Sequence, residues 1–213
     1  IILIYYIFIY FYMKIHTFGD SHASNTHSGW KDCNNIQAHH IGPILCHSFG
    51  KEKLNRCDIN KFGLNNDDSV IFCFGEIDCR CHIYKHITDV KSYEMIIDDL
   101  IYNYIDAIKK NLYNCKIKLK HICIYNVVPP VNKYNTQENK DYPYLGSDEE
   151  RKQYVLYFNK CLKKKCQENN WIFFDVYDYY IDNNGFLNKE FSDGHVHIKN
   201  GRFLKKFIDN YLL

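Results

Sequence analysis

Two stretches of the sequence carry residues that could together do nucleophilic chemistry. One is Gly19-Asp20-Ser21-His22, directly after the apolar run 14–18. The other is Ser192-Asp193-Gly194-His195-Val196-His197-Ile198, shortly before the last helical segment. A serine hydroxyl is a poor nucleophile until a base takes its proton. The usual base is a histidine, held in the right tautomer by a carboxylate. Ser21, His197 and Asp193 supply those three types, with His195 as the second candidate base. The alternative for Ser21 is a helix cap. The groups stand far apart in sequence, so they can act together only if the first and last strand ends converge.

The elements that could bring them together alternate along the chain. Residues 14–18, 69–74, 121–128 and 171–177 read as strands, and 38–45 as a weaker one broken by Gly42-Pro43. The runs at 69–74 and 121–128 are nearly continuous in apolar residues, as expected of strands covered on both faces. Residues 93–112 carry Ile97, Leu100, Ile101, Tyr104, Ile105, Ile108 and Leu112 at helical spacing. Ser147-Asp148-Glu149-Glu150 has the form of a capping box opening a helix to about Gln167. Lys163-Lys164-Lys165 suits that helix's C-terminal dipole better than a nucleic-acid patch. Residues 199–211 form a last helix, with Phe203, Leu204, Phe207 and Ile208 inward. Such alternation predicts a three-layer α/β/α sandwich on a mostly parallel, flavodoxin-like sheet. Ligands of such sheets bind beyond the carboxyl ends of the strands.

Composition narrows the function classes. The 213 residues are enough for one domain with a sizeable core. With 27 basic and 25 acidic residues, the near-zero charge argues against a nucleic-acid or anionic-lipid footprint. No glycine-rich phosphate loop supports a nucleotide site. The apolar run 1–12 is shorter than the ~20 residues a spanning helix needs. It lacks the basic region and cleavage site of a secretory signal. Residues 1–12 therefore read as a non-native extension ahead of a start at Met13, the alternative being the remnant of a membrane anchor. The working domain is then 13–213.

The ten cysteines include no Cys-x-x-Cys pair, which argues against zinc-ribbon and thioredoxin-type sites. Cys73 and Cys123 fall inside strands, as small buried hydrophobes do. Reduced thiols in a cytoplasmic setting are the simplest expectation. Cys79-Arg80-Cys81-His82 does not have standard metal-ligand spacing, so no metal is expected there.

The two stretches, with Gly75-Glu76-Ile77-Asp78 after the central strand, resemble the SGNH, or GDSL-like, hydrolases. The similarity runs in order over residues 13–213. It implies a five-stranded parallel sheet between helices, a serine-hydrolase triad of Ser21, His197 and Asp193, and no cofactor. It also implies an ester substrate, either a small molecule or an acylated carbohydrate or lipid. Two departures stand out. Ile77 occupies the place of the family's oxyanion-donating asparagine, with Arg80 as a candidate replacement. Asp193 and His197 are four residues apart where the family has three, so one residue must bulge. Gly42 is the candidate for the second oxyanion amide. Gly75 and Asp78 are expected at the substrate side, although Asp78 could instead be purely structural. Glu76 reads as a ligand-binding carboxylate or an exposed loop residue. Tyr142 and Tyr144, in the polar loop 131–146, could stack on a sugar ring or lie idle at the surface. The loop itself is a candidate lid. If the oxyanion hole is lost, the same fold would serve as a ligand-binding module.

Overall fold

The computed structural model describes residues 13–137 and 139–213. The expectation for residues 1–12 lies outside these. Five strands make one all-parallel sheet: β1 (Ile15–Gly19), β2 (Ile36–His40), β3 (Ser69–Cys73), β4 (Ile122–Tyr125) and β5 (Ile172–Phe174). Their order is β2-β1-β3-β4-β5. Helices α1 (Cys46–Glu52), α2 (Tyr93–Asn114) and α3 (Asp148–Asn169) cover one face, and α4 (Arg202–Tyr211) covers the other. Strand periodicity explains the two cores. In β3, Val70 and Phe72 point to the α1–α3 side, while Ile71 and Cys73 point to the α4 side. Both faces are buried, which is why the strand reads as a continuous apolar run. Cys73 and Cys123 are buried in β3 and β4 as expected. Among the described residues, no helix is long and apolar enough to cross a membrane.

Several expected boundaries move. The second strand is Ile36–His40, ending before Gly42-Pro43, and α1 follows where no helix was expected. The strand expected over 171–177 is cut to Ile172–Phe174 and gives way to a 3-10 turn at Tyr177–Tyr179. The capping box of α3 forms as read. The Ser147 amide donates to Glu150 Oε2 at 2.7 Å, and the Glu150 amide donates to Ser147 Oγ at 3.2 Å. The lysine run does not end that helix. The helix continues to Asn169 and closes on Asn170 in the left-handed conformation, and Lys165 instead pairs with Glu168 at 2.6 Å.

The chain order reverses at β1, so the carboxyl ends of β2, β1 and β3 open side by side. Gly19 stands level with His40 on one side and Cys73 on the other. The segment leading into α4 is tied to the same end. The Gly29 amide donates to the Ile198 carbonyl at 2.7 Å, and the Gly201 amide to Asp32 Oδ2 at 2.7 Å. Between these bonds, Gly29 and Gly201 lie backbone to backbone. A Cβ on Gly201 would sit 1.9 Å from the Gly29 carbonyl oxygen. No small shift relieves an overlap with main chain. Gly201→Ala should therefore cost about 2 kcal/mol or more. Urea unfolding should show a lower midpoint at unchanged slope.

Candidate functional site

Ser21 opens a short 3-10 turn, Ser21–Ala23, immediately beyond β1. Asp20 caps that turn, its Oδ1 accepting from the His22 amide at 2.9 Å. Thr17 Oγ1 donates to the Ala23 carbonyl at 2.7 Å. The fully buried Trp30 donates from Nε1 to the His22 carbonyl at 2.6 Å. The turn bearing Ser21 is thus held on both flanks by buried polar bonds.

The second stretch folds back on itself. Ser192 and Ile198 form an antiparallel bridge, and the Asp193 amide donates to the His197 carbonyl at 3.1 Å. This closed turn absorbs the extra residue between Asp193 and His197. His197 Nε2 lies 2.8 Å from Ser21 Oγ, and its Nδ1 lies 2.7 Å from Asp193 Oδ2. Asp193 Oδ1 accepts the amides of His195, at 2.8 Å, and His197, at 3.3 Å. Burial opposes the Asp193 charge, but these donors outweigh it and hold the carboxyl down at about 2. His197 sits below the ordinary imidazole value. Burial is the largest cause and the neighbouring His22 adds to it, against the pull of Asp193. Of the two candidate bases, His197 faces Ser21; His195 lends its backbone amide to Asp193.

The remaining expected site residues divide. Asp78 is fully buried and turned away from the cavity. Its Oδ2 accepts from the Cys46 amide at 2.6 Å and its Oδ1 from the His47 amide at 3.1 Å. It is the cap that α1 lacks in its own sequence, since Leu45 makes no side-chain cap bond. Burial pushes its carboxyl up to about 7, against the two amide bonds. Gly75 also stays out of the cavity. It has φ +121°, and a Cβ there would press on Val127 and Phe158 at 2.9–3.0 Å. Its place is a tight packing corner between β3 and α3. Gly42, with φ +119°, does not border the cavity either, but its neighbour Pro43 does.

Arg80 does border the cavity, and so does the buried Ile77. The Arg80 guanidinium is committed elsewhere. Nε and Nη2 donate to the two oxygens of Glu76 at 2.8 and 3.0 Å, and Nη1 donates to the Tyr142 carbonyl at 2.6 Å. It therefore comes to the cavity as half of a neutralised pair, not as a free cation in place of the missing asparagine. Glu76, read as a ligand or an exposed loop carboxylate, is the other half. Their i, i+4 spacing is the signal that could have paired them.

The cavity beside Ser21 has a volume of about 520 Å³. Tyr142 and Tyr144 line it, with their rings 5.9 and 5.5 Å from the Arg80 guanidinium carbon. Gln137, Asn139 and His27 also border it, as do Asp193 and His195. His27 had no local signal in the sequence. Only the fold brings its ring to 5.4 Å from that of His197. Among the described residues, no group of three or more His, Cys, Asp or Glu could hold a metal ion.

No family model matches the chain, and no curated protein matches it in sequence. Solved structures do match, many of them GDSL lipolytic hydrolases. A GDSL-like lipase from Bacteroides thetaiotaomicron is 15% identical, with 92% of this chain and 86% of that chain covered at a TM-score of 0.61. A member of the lipolytic G-D-S-L family from Veillonella parvula is 14% identical, covering 93% and 97% at a TM-score of 0.58. A catalytic mutant of an acetylxylan esterase from Geobacillus stearothermophilus is 10% identical, covering 93% of each chain at a TM-score of 0.57. The fold is that of the SGNH, or GDSL-like, hydrolases.

Asp78→Ala should leave the Cys46 and His47 amides without their acceptor, a loss of about 1–3 kcal/mol in stability. The same urea titration should register it.

Proposed function

We propose that the chain is a serine esterase or acyl hydrolase that works through an acyl-enzyme. The observation that carries this reading is the unbroken chain Ser21 Oγ–His197 Nε2–Nδ1–Asp193, at 2.8 and 2.7 Å, bordering an open cavity. His197 is the base that takes the Ser21 proton as Oγ attacks the ester carbonyl. It then protonates the departing alcohol, and water, activated by the same imidazole, releases the acid. Asp193, ionised at any working pH, holds the tautomer with its proton on Nδ1.

The oxyanion needs donors. Ser21 is the first residue of its turn, so its N–H has no partner within the turn. The Gly42 amide, on the loop whose Pro43 borders the cavity, is the second donor in this reading. Arg80 uses three of its five N–H groups on Glu76 and Tyr142, so two remain. A cavity walled by Tyr142, Tyr144, Gln137 and Asn139 favours a polar ester, such as an acylated carbohydrate or another small ester.

A second reading has one observation in its favour. Ile77 borders the cavity with no donor where the family has one, which suits a binding module that has lost its chemistry.

A fluorophosphonate probe separates the two. It should label the protein on Ser21 and fail to label Ser21→Ala. Hydrolysis of p-nitrophenyl acetate should fall about a thousandfold or more in His197→Ala and only slightly in His195→Ala. Folded protein that neither labels nor turns over would overturn the esterase reading. The opposite ranking of the two histidines would reassign the base.

A further inference from the structure

Behind His197 lies a second carboxylate–imidazole pair that the proposed reaction does not use. His22 is buried, with Nδ1 2.9 Å from Asp20 Oδ1 and Nε2 3.2 Å from the Val196 carbonyl oxygen. A neutral imidazole has one N–H and one acceptor nitrogen. With Asp20 ionised both partners of His22 are acceptors, so both ring nitrogens donate and the ring is an imidazolium. The alternative is a proton on Asp20. That proton would sit on Oδ1 and donate to Nδ1 while Oδ1 still accepts the His22 amide, so a neutral pair keeps the same contacts. Oδ2 is buried with no partner among the described residues in either case. A carboxyl is the stronger acid of the two by about 2–3 pK units, and Glu76 also favours a charged ring, so the proton belongs on the imidazole.

We infer that His22 is a positioning residue for His197, clamping its loop through Val196 and keeping its ring unprotonated by holding a fixed positive charge beside it. The two rings are 4.9 Å apart, centroid to centroid. Val196 is the residue immediately before His197, so the Nε2 bond pins the backbone that carries the base. This role rests on His197 being the base.

Other groups face the same ring. Asp193 lies on its own loop, and His27 comes from the segment after the Ser21 turn, 5.4 Å away. Glu76 acts from beyond β3, itself paired with Arg80, and His195 lines the same cavity. Asp193 and Glu76 favour protonation of His197, whereas burial and His22 disfavour it. For His22 itself, burial opposes the charge, but Asp20, Glu76 and the Val196 carbonyl outweigh it and raise the group to about 9. The imidazolium therefore persists through neutral pH and is lost only as pH rises through about 9.

The test has two arms. In the first, nitrogen NMR of histidine-labelled, unaltered protein reads the protonation of both rings at pH 7.5. His22 should carry protons on both nitrogens and His197 on one. A singly protonated His22 would overturn the inference without reference to activity. In the second, the pH profile of kcat/KM for p-nitrophenyl acetate is compared between unaltered protein and His22→Gln. The acid limb of the unaltered protein should lie below the ordinary histidine value of about 6.5. In the variant it should move up by roughly one pH unit, as expected for removal of a charge ~5 Å away at a partly screened site. A merely structural His22 would lower the rate and leave the limb in place. An unmoved limb in folded variant, checked by circular dichroism, would overturn the inference. Should the variant not fold, the NMR arm decides. If the unaltered protein hydrolyses no ester, the esterase reading fails by itself, and the charge on His22 is still read directly.

Discussion

The site depends on one main-chain contact, where the segment after β1 meets the segment before α4. Gly29 and Gly201 approach so closely that a single methyl group would strike backbone. The bonds Gly29 N–H to Ile198 and Gly201 N–H to Asp32 seal the contact on either side. Ser21 lies a few residues before one glycine and His197 a few residues before the other. Their 2.8 Å contact, between groups 176 positions apart, follows from this closure more than from any local preference. A buried aromatic cluster supports it. Trp30 packs edge-on against Tyr125 and Phe174, and Phe174 stacks on Phe207 of α4 with ring centroids 4.0 Å apart.

Around that closure, each carboxylate has a local partner. Asp20 faces His22, Asp193 faces His197, and Glu76 faces Arg80. Each pair joins residues from one loop, and together they line the edge where β1 and β3 end. Buried charges are costly without partners. Pairing each one locally lets several stand near Ser21 while leaving a polar cavity rather than a strongly charged one. Asp78 shows the same economy in another role. It borrows the two free amides at the start of α1 and so locks the loop after β2 to the loop after β3.

Features governed by near neighbours were legible in the sequence. The apolar run of β3 and the stripe along α2 follow from period, and the start of α3 follows from its own capping box. The Gly-Asp-Ser turn and the Asp193–His197 loop were legible because each is a compact motif. Features set by distant partners were not. Helix α1 carries no cap of its own, because its cap is Asp78, 32 residues later. The lysine run reads as a helix end, yet Asn170 in the left-handed conformation sets the end instead. His22 passes for a bystander in the serine motif until the fold brings Val196 and His197 against it.

The most direct test of the account is intact-protein mass spectrometry of samples acid-quenched during turnover of p-nitrophenyl acetate. An acetyl-enzyme adds about 42 Da at a serine hydroxyl. The account predicts that this mass accumulates, maps to the peptide carrying Ser21, and disappears as the acyl group is hydrolysed. Release of nitrophenolate with Ser21 unmodified, or with the acetyl group on another residue, would contradict it.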